Sequence, residues 1–222
     1  MTAQHDASVL RWSGSQLLTS AEDTHGRLSA KTVVLLPWLD ASMAQTALQT
    51  MAWRAGAPAV YLALHDDTGM GPVALLNAAL AKVDCEMVVY TAQDAFPGRY
   101  WLRNALACLH SQPAKGLLAF NDGKWFGQLA AFGLVRRAWL QGVYGGNLFF
   151  SDYRHHYGDT ELTVVALQQD ALAYDPHCLL IEVDHGKDRR TVDAQDRRLY
   201  LRRAAQGFDA RVVDPTLLKR FR

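Results

Sequence analysis

The 222 residues carry 23 Lys and Arg against 22 Asp and Glu, for a formal net charge of +1, with half the residues hydrophobic and a fifth charged. That length can bury one substantial core, and the near-balance of charge excludes a broad field that would steer the chain toward nucleic acid or an anionic membrane. No run approaches the roughly 18 apolar residues of a membrane span, and the first residues lack a basic start followed by an apolar stretch, so the expected location is the cytoplasm.

Residues 1–30 are polar and weakly patterned, with at most a short strand at Val9–Trp12, and read as a lead-in or sheet edge. From Lys31 a rhythm begins. Thr32–Leu36 is a β-branched and aliphatic run ended by Pro37, and Ser42–Arg54 has helical composition and stops at Gly56. Ala59–Leu64, Pro72–Lys82, Glu86–Thr91 and Gly98–His110 repeat the alternation of strand and helix, with Pro72 suited to a first helical turn. Consecutive strand-helix units imply a parallel sheet in one α/β domain.

After Pro113 the pattern predicts a strand at Gly116–Phe120, a turn at Asn121-Asp122-Gly123 and a helix at Ala130–Leu140. The stretch 141–158, rich in Gly, aromatics and His, has no clean period, and long irregular segments in compact domains are often functional. A helix at Asp159–Gln169, a strand at Cys178–Val183 and a final helix at Val192–Gln206 complete the chain. Arg189, Arg190, Arg197, Arg198, Arg202 and Arg203 are interrupted by Asp188, Asp193 and Asp196, the mark of a solvated helix face rather than a polyanion site. Cys85, Cys108 and Cys178 are odd in number and form no CxxC, so neither a disulfide framework nor a cysteine zinc site is expected.

Ligands of open α/β sheets bind beyond the carboxyl ends of the strands, which singles out His65-Asp66-Asp67, Ala92-Gln93-Asp94 and Asp184-His185. Gly69-Met70-Gly71-Pro72-Val73-Ala74 fits the G-x-G-x-x-A form of a dinucleotide site with Asp94 as ribose contact, although Asp66 and Asp67 would repel a pyrophosphate beside them. The other reading sets the strand-end carboxylates opposite a nucleotide diphosphate with a divalent ion between, because Mg2+ and Mn2+ take oxygen ligands and need only one or two from protein. Asp94 and His185 suit that ion.

At this point the stretch from Lys31 to His185 resembles the inverting GT-A glycosyltransferases of the large family 2 type. Val33-Val34-Leu35-Leu36-Pro37 looks like the opening nucleotide-binding strand, Asp66 or Asp67 is similar to the base-contacting acid, and Asn77 resembles the asparagine of the G-x-x-x-A-x-N helix. Val88 to Asp94, with Pro97 and Trp101-Leu102 after it, looks like the strand bearing the acidic metal motif. Phe132 to Arg137 resembles the acceptor-side helix, Tyr157 to Leu162 the helix start with the base, and Ile181 to His185 the late strand whose histidine completes the metal site.

The resemblance implies a GT-A fold with a mainly parallel central sheet flanked by helices. It implies a nucleotide-sugar half at 31–110, an acceptor and metal half at 111–190, and a C-terminal helix and tail at 191–222. It further implies Mn2+ or Mg2+ on Asp94 and His185, and Asp159 as general base with Glu161 as second candidate. Pro37, Asp66, Asp67, Asn77 and Gln93 would lie around the nucleotide-diphosphate sugar, and the acceptor would be a glycan or another hydroxyl compound. One departure stands out: Ala92 occupies the first acidic position, leaving that contact missing or replaced by Gln93.

Simpler readings accompany these. Asp159 can be a helix N-cap, Asp94 a turn residue and His185 a surface histidine. His155-His156 lacks the spacing of a zinc site and reads as part of a mobile acceptor loop, and the aromatics of 125–153 suit a core as well as a sugar platform. The rival functions are a nucleotide-sugar-binding or assembly protein without turnover, and an NAD or FAD oxidoreductase.

Overall fold

The computed structural model describes residues 8–19, 27–183 and 192–221. Its main sheet has eight strands: β1 (Ser8–Ser13), β3 (Thr32–Trp38), β4 (Val60–His65), β6 (Met87–Tyr90), β7 (Ala95–Pro97), β8 (Leu117–Asn121), β9 (Gly133–Arg136) and β10 (Leu172–Glu182). Their order across the sheet is β1-β4-β3-β6-β9-β8-β10-β7. A separate ribbon pairs β2 (Leu28–Ser29) with β5 (Val83–Asp84). The pairs from β1 through β6 are parallel, β9 runs antiparallel to both neighbours, β10 is parallel to β8, and β7 returns antiparallel at the edge.

The apolar runs are continuous because both faces of the sheet are covered, as parallel strands require. Val33, Leu35, Leu62, Leu64 and Val88 enter one buried cluster, under α3 (Pro72–Ala81) and α6 (Gly158–Gln168). Val34, Leu36, Tyr61, Ala63 and Val89 enter the other, under α2 (Ala41–Arg54) and α4 (Trp101–His110). Val33 through Leu36 have no exposed surface, and each such side chain contributes about 1.5–3 kcal/mol on burial.

Helix starts and stops follow local chemistry. Asp40 caps α2 by accepting the N–H of Met43, and α3 opens with Pro72, whose missing N–H has no partner to lose there. The last long helix, α7 (Ala194–Ala205), is capped by Asp193, which accepts from Gln195 and Asp196. In the lead-in, β1 pairs along its whole length with β4, making it the sheet edge, and α1 (Gly14–Thr19) follows it.

One expected element is corrected. Residues 130–140 are not a helix: β9 takes Gly133–Arg136 and only Arg137–Tyr144 is helical, as α5. A four-residue strand is too short to reveal its period, and its inward residues are split between layers, Leu134 to one cluster and Val135 to the other. Gly133 is required because a Cβ there would stand 2.6 Å from the Tyr90 ring. The segment resembling an acceptor-side helix is thus a central strand.

Candidate functional site

A cavity of about 300 Å³ opens beyond the carboxyl ends of β3, β4 and β6. Pro37 and Trp38 reach it from β3, Asp66 from the end of β4, Pro72 and Leu75 from α3, and Ala92, Gln93 and Asp94 from the β6–β7 connection. Glu182 enters from the end of β10, and His155 and His156 line the cavity from the segment before α6. The last residues of β10 lie against the β6–β7 connection, because Glu182 pairs with Ala95 and the N–H of Val183 donates to the carbonyl of Asp94. Two acidic side chains from distant sequence therefore converge.

Asp66 lines the cavity, but its carboxylate accepts the N–H of Met70 through one oxygen and of Gly71 through the other, both at 2.9 Å. Those are amides that a dinucleotide pyrophosphate would need, so the Gly69–Ala74 loop serves its own acid. Gly71 has a φ of 88°, and a Cβ there would lie 2.5 Å from the Arg154 carbonyl. Gly71→Ala is expected to lower unfolding free energy by about 1–3 kcal/mol in urea titrations, from strain and the opened contact together. A loss below a few tenths would show that residues 154–156 can move away without cost.

Gln93 also lines the cavity, with its carbonyl oxygen accepting from Leu39 and Asp40 N–H at 2.8 and 2.9 Å. It fastens the β3–α2 turn and offers that oxygen to no ion. Trp38 stacks on His65, ring centres 4.1 Å apart and 11° from parallel, and so presents a flat apolar wall.

Asp67 faces away, binding the N–H and hydroxyl of Ser15 at 2.9 and 2.5 Å. Asn77 is buried and does not reach the cavity; its oxygen accepts from Leu148 and Phe149, and its amide donates to the Phe149 carbonyl. Its work is to anchor the irregular segment after α5. Glu161 is fully buried in a cluster with Arg203, whose Nε and Nη2 each donate to it at 2.7 Å, and with the hydroxyls of Tyr144 and Tyr153. A carboxylate so engaged, away from the cavity, is a structural anchor.

Asp159 is the second residue of α6, not its cap, which is Tyr157. Its Oδ1 accepts the N–H of the adjoining Thr160 at 2.8 Å. Burial pushes its carboxyl up to about 6, and the negative charge of Glu182 adds to the rise, which places Asp159 within electrostatic reach of the cavity's acidic side. It is not itself among the residues lining the cavity. Asp184 and His185 lie outside the described residues.

Glu182 and Trp38 line the cavity without having been singled out from sequence, and His155-His156, read there as part of an acceptor loop, lines it too. Glu182 was hidden inside an apolar strand, where a charge in the last position was the available signal. Trp38 had no signal beyond its place after a strand. The histidine wall depends on Asp196, a buried acid on α7 that accepts the N–H groups of Arg154, His155 and His156 at 3.0, 2.7 and 2.8 Å. Nothing local in sequence pairs those positions.

Among the described residues no group of three or more His, Cys, Asp or Glu side chains is gathered to hold a metal, and no helix is long and apolar enough to cross a membrane. No protein-family model matches the chain, and no curated protein matches its sequence. Solved structures do. A mannosyltransferase, PcManGT from Pyrobaculum calidifontis, solved with GDP-Man and Mn2+, matches at a TM-score of 0.57 and 18% identity over 93% of this chain and 72% of its own. S. aureus TarS with UDP-GlcNAc matches at 0.64 and 13% identity, over 86% of this chain and 71% of that one. Glucosyl-3-phosphoglycerate synthase from Mycobacterium tuberculosis, with Mn2+ and UDP-glucose, matches at 0.57 and 13% identity, over 95% and 89%. The sheet order, the cavity at the strand ends and these matches together show that the chain has the GT-A glycosyltransferase fold.

Proposed function

We propose that the protein is a glycosyltransferase that moves a sugar from a nucleotide-diphosphate donor to an acceptor hydroxyl, with inversion and with help from Mn2+ or Mg2+. The observation that carries this reading is the convergence of Asp94 and Glu182 on one cavity beyond the strand ends, with Asp159 in electrostatic reach. Asp66, Asp94 and Glu182 give the wall three acids, and among the described residues no Lys or Arg lines it, although Lys124 comes within 3.9 Å of Glu182 from outside the lining. An anionic donor would be repelled there unless a cation lay between. Two carboxylates fit a hard divalent ion that draws its other ligands from phosphate oxygens and water, and Ala92 and Gln93 explain why no third protein ligand is supplied from that turn. His185 remains a proposed ligand.

Such an ion supplies neutralisation of charge on the departing diphosphate. The chain's own part is to bind and orient. Trp38 and Pro37 offer an apolar wall for the base, and Asp66 closes the loop behind it. Asp159 takes the acceptor hydroxyl proton as the oxygen bonds to the anomeric carbon and the bond to the diphosphate oxygen breaks. A single displacement of this kind inverts the configuration. A carboxyl held near 6 is ionised at neutral pH yet basic enough to accept a proton in the transition state.

Thermal melting across UDP-, GDP- and TDP-sugars, each with Mn2+, Mg2+ or EDTA, tests the reading. A ligand at a hundred times its Kd adds about 2.7 kcal/mol, so a metal-dependent rise of several degrees with one donor is expected. Stabilisation by NAD or FAD alone would overturn it. Ala92 favours the second reading, a nucleotide-sugar-binding protein without turnover, for which the same rise would appear with no transfer or hydrolysis of the donor.

A further inference from the structure

The cavity needs groups that hold a diphosphate, and most of its polar side chains are engaged or acidic. Asp66 is used by backbone amides, the Gln93 oxygen by two others, and the Trp38 indole nitrogen is buried. His155 and His156 remain among the lining residues. Of these, His156 has a defined ring orientation: the N–H of Asp193 donates to its Nδ1 at 3.3 Å. A nitrogen that accepts carries no proton, so the neutral ring holds its proton on Nε2.

We infer that His156 is a hydrogen-bond donor to the diphosphate of the nucleotide ligand, presented as the Nε2–H tautomer by the backbone of Asp193; this rests on the proposed nucleotide-sugar reading. The ring stands two residues before α6 and against the cap of α7, so its place is set from both sides. Asp196 fixes the backbone N–H of His156 at 2.8 Å, and Asp193, three residues earlier on the same helix start, fixes the ring. Burial also holds the imidazole below its ordinary pKa, which keeps the ring neutral and the acceptor on Nδ1 intact at neutral pH. Position and tautomer therefore come from one short segment of α7. A neutral donor suits this wall, because it adds a hydrogen bond to phosphate without competing with the cation for the neighbouring acids.

Two substitutions separate the donor role from the anchoring role. In His156→Gln the amide nitrogen falls near the position of Nε2 and keeps the donor while losing the acceptor for Asp193. In His156→Asn the amide oxygen can keep the Asp193 contact while the donor is lost. Affinities for UDP and GDP with Mn2+ are measured by calorimetry, and for uridine and guanosine by ligand-observed NMR, in wild type and both variants. The expected result is a Kd for the bound diphosphate raised about tenfold in His156→Asn and within about threefold of wild type in His156→Gln, with nucleoside affinity unchanged in both. Unchanged diphosphate affinity in His156→Asn would overturn the assignment, as would a parallel fall for nucleoside and diphosphate in both variants, which marks a residue that shapes the cavity. If wild type binds no nucleotide, the transferase reading fails first and the assignment with it; if wild type binds and only the variants disagree, the assignment alone fails.

Discussion

Asp159→Asn is expected to lower kcat for sugar transfer by at least about a hundredfold while leaving nucleoside-diphosphate affinity within twofold. The amide keeps the shape and the contact with Thr160 but cannot accept the hydroxyl proton. Wild-type kcat/KM should rise with pH through about 6 and level off above, because only the ionised carboxyl serves as base. The stability effect has the opposite sign. Burial raises this carboxyl above its ordinary range, so the folded state binds the proton more tightly than the unfolded chain, and ionisation costs stability as pH climbs from about 4 past 6. Asp159→Asn should accordingly melt higher than wild type at pH 8, with the difference fading below pH 4. A variant that transfers sugar at the wild-type rate would remove Asp159 from the chemistry, and an unshifted pH profile would separate the rate from its ionisation.

Glu161→Ala is expected to cost about 3–5 kcal/mol of unfolding free energy, the range found when one partner of a buried ion pair is removed. The Arg203 guanidinium would stay in the core beside Phe150, over whose ring it lies at 3.3 Å, with Asp209 as its surviving carboxylate partner. The hydroxyls of Tyr144 and Tyr153 would lose their acceptor; burial and the Glu161 charge hold both phenols protonated in the native protein. Replacing both members, Glu161→Leu with Arg203→Met, should recover much of the loss because no unpaired charge remains. Urea unfolding monitored by tryptophan fluorescence measures both. A loss under 1 kcal/mol in Glu161→Ala, or lost turnover at unchanged stability, would return Glu161 to the list of chemical groups.

The strands at the start of the chain were legible because their burial is uniform. Val33 to Leu36 and Tyr61 to Leu64 are apolar on both faces of the sheet, so the run itself announces a covered parallel strand, and Pro72 marks a helix start by local backbone chemistry. Ligands of such sheets bind beyond the strand ends, which is why Asp66, Gln93 and Asp94 could be named in advance; they line one cavity together with Pro37, which the family resemblance had pointed to.

What the chain's order of residues could not carry were choices settled by partners far away. Asp66 and Asp67 are adjacent and identical in type, yet one turns to the amides of Met70 and Gly71 at the cavity and the other to Ser15. Asp159 and Glu161 lie two apart at one helix start, and Arg203, 42 residues on, with the hydroxyls of Tyr144 and Tyr153, makes the second a core anchor. The sequence by itself determined the alternation of strands and helices and the end of the sheet where the cavity opens, because hydrophobic period and capping act within a few residues. Tertiary structure alone decided which acids face the cavity, that 133–136 is a strand, and that α7 aims His156, because a buried charge or hydrogen-bond donor takes its partner from wherever packing brings one.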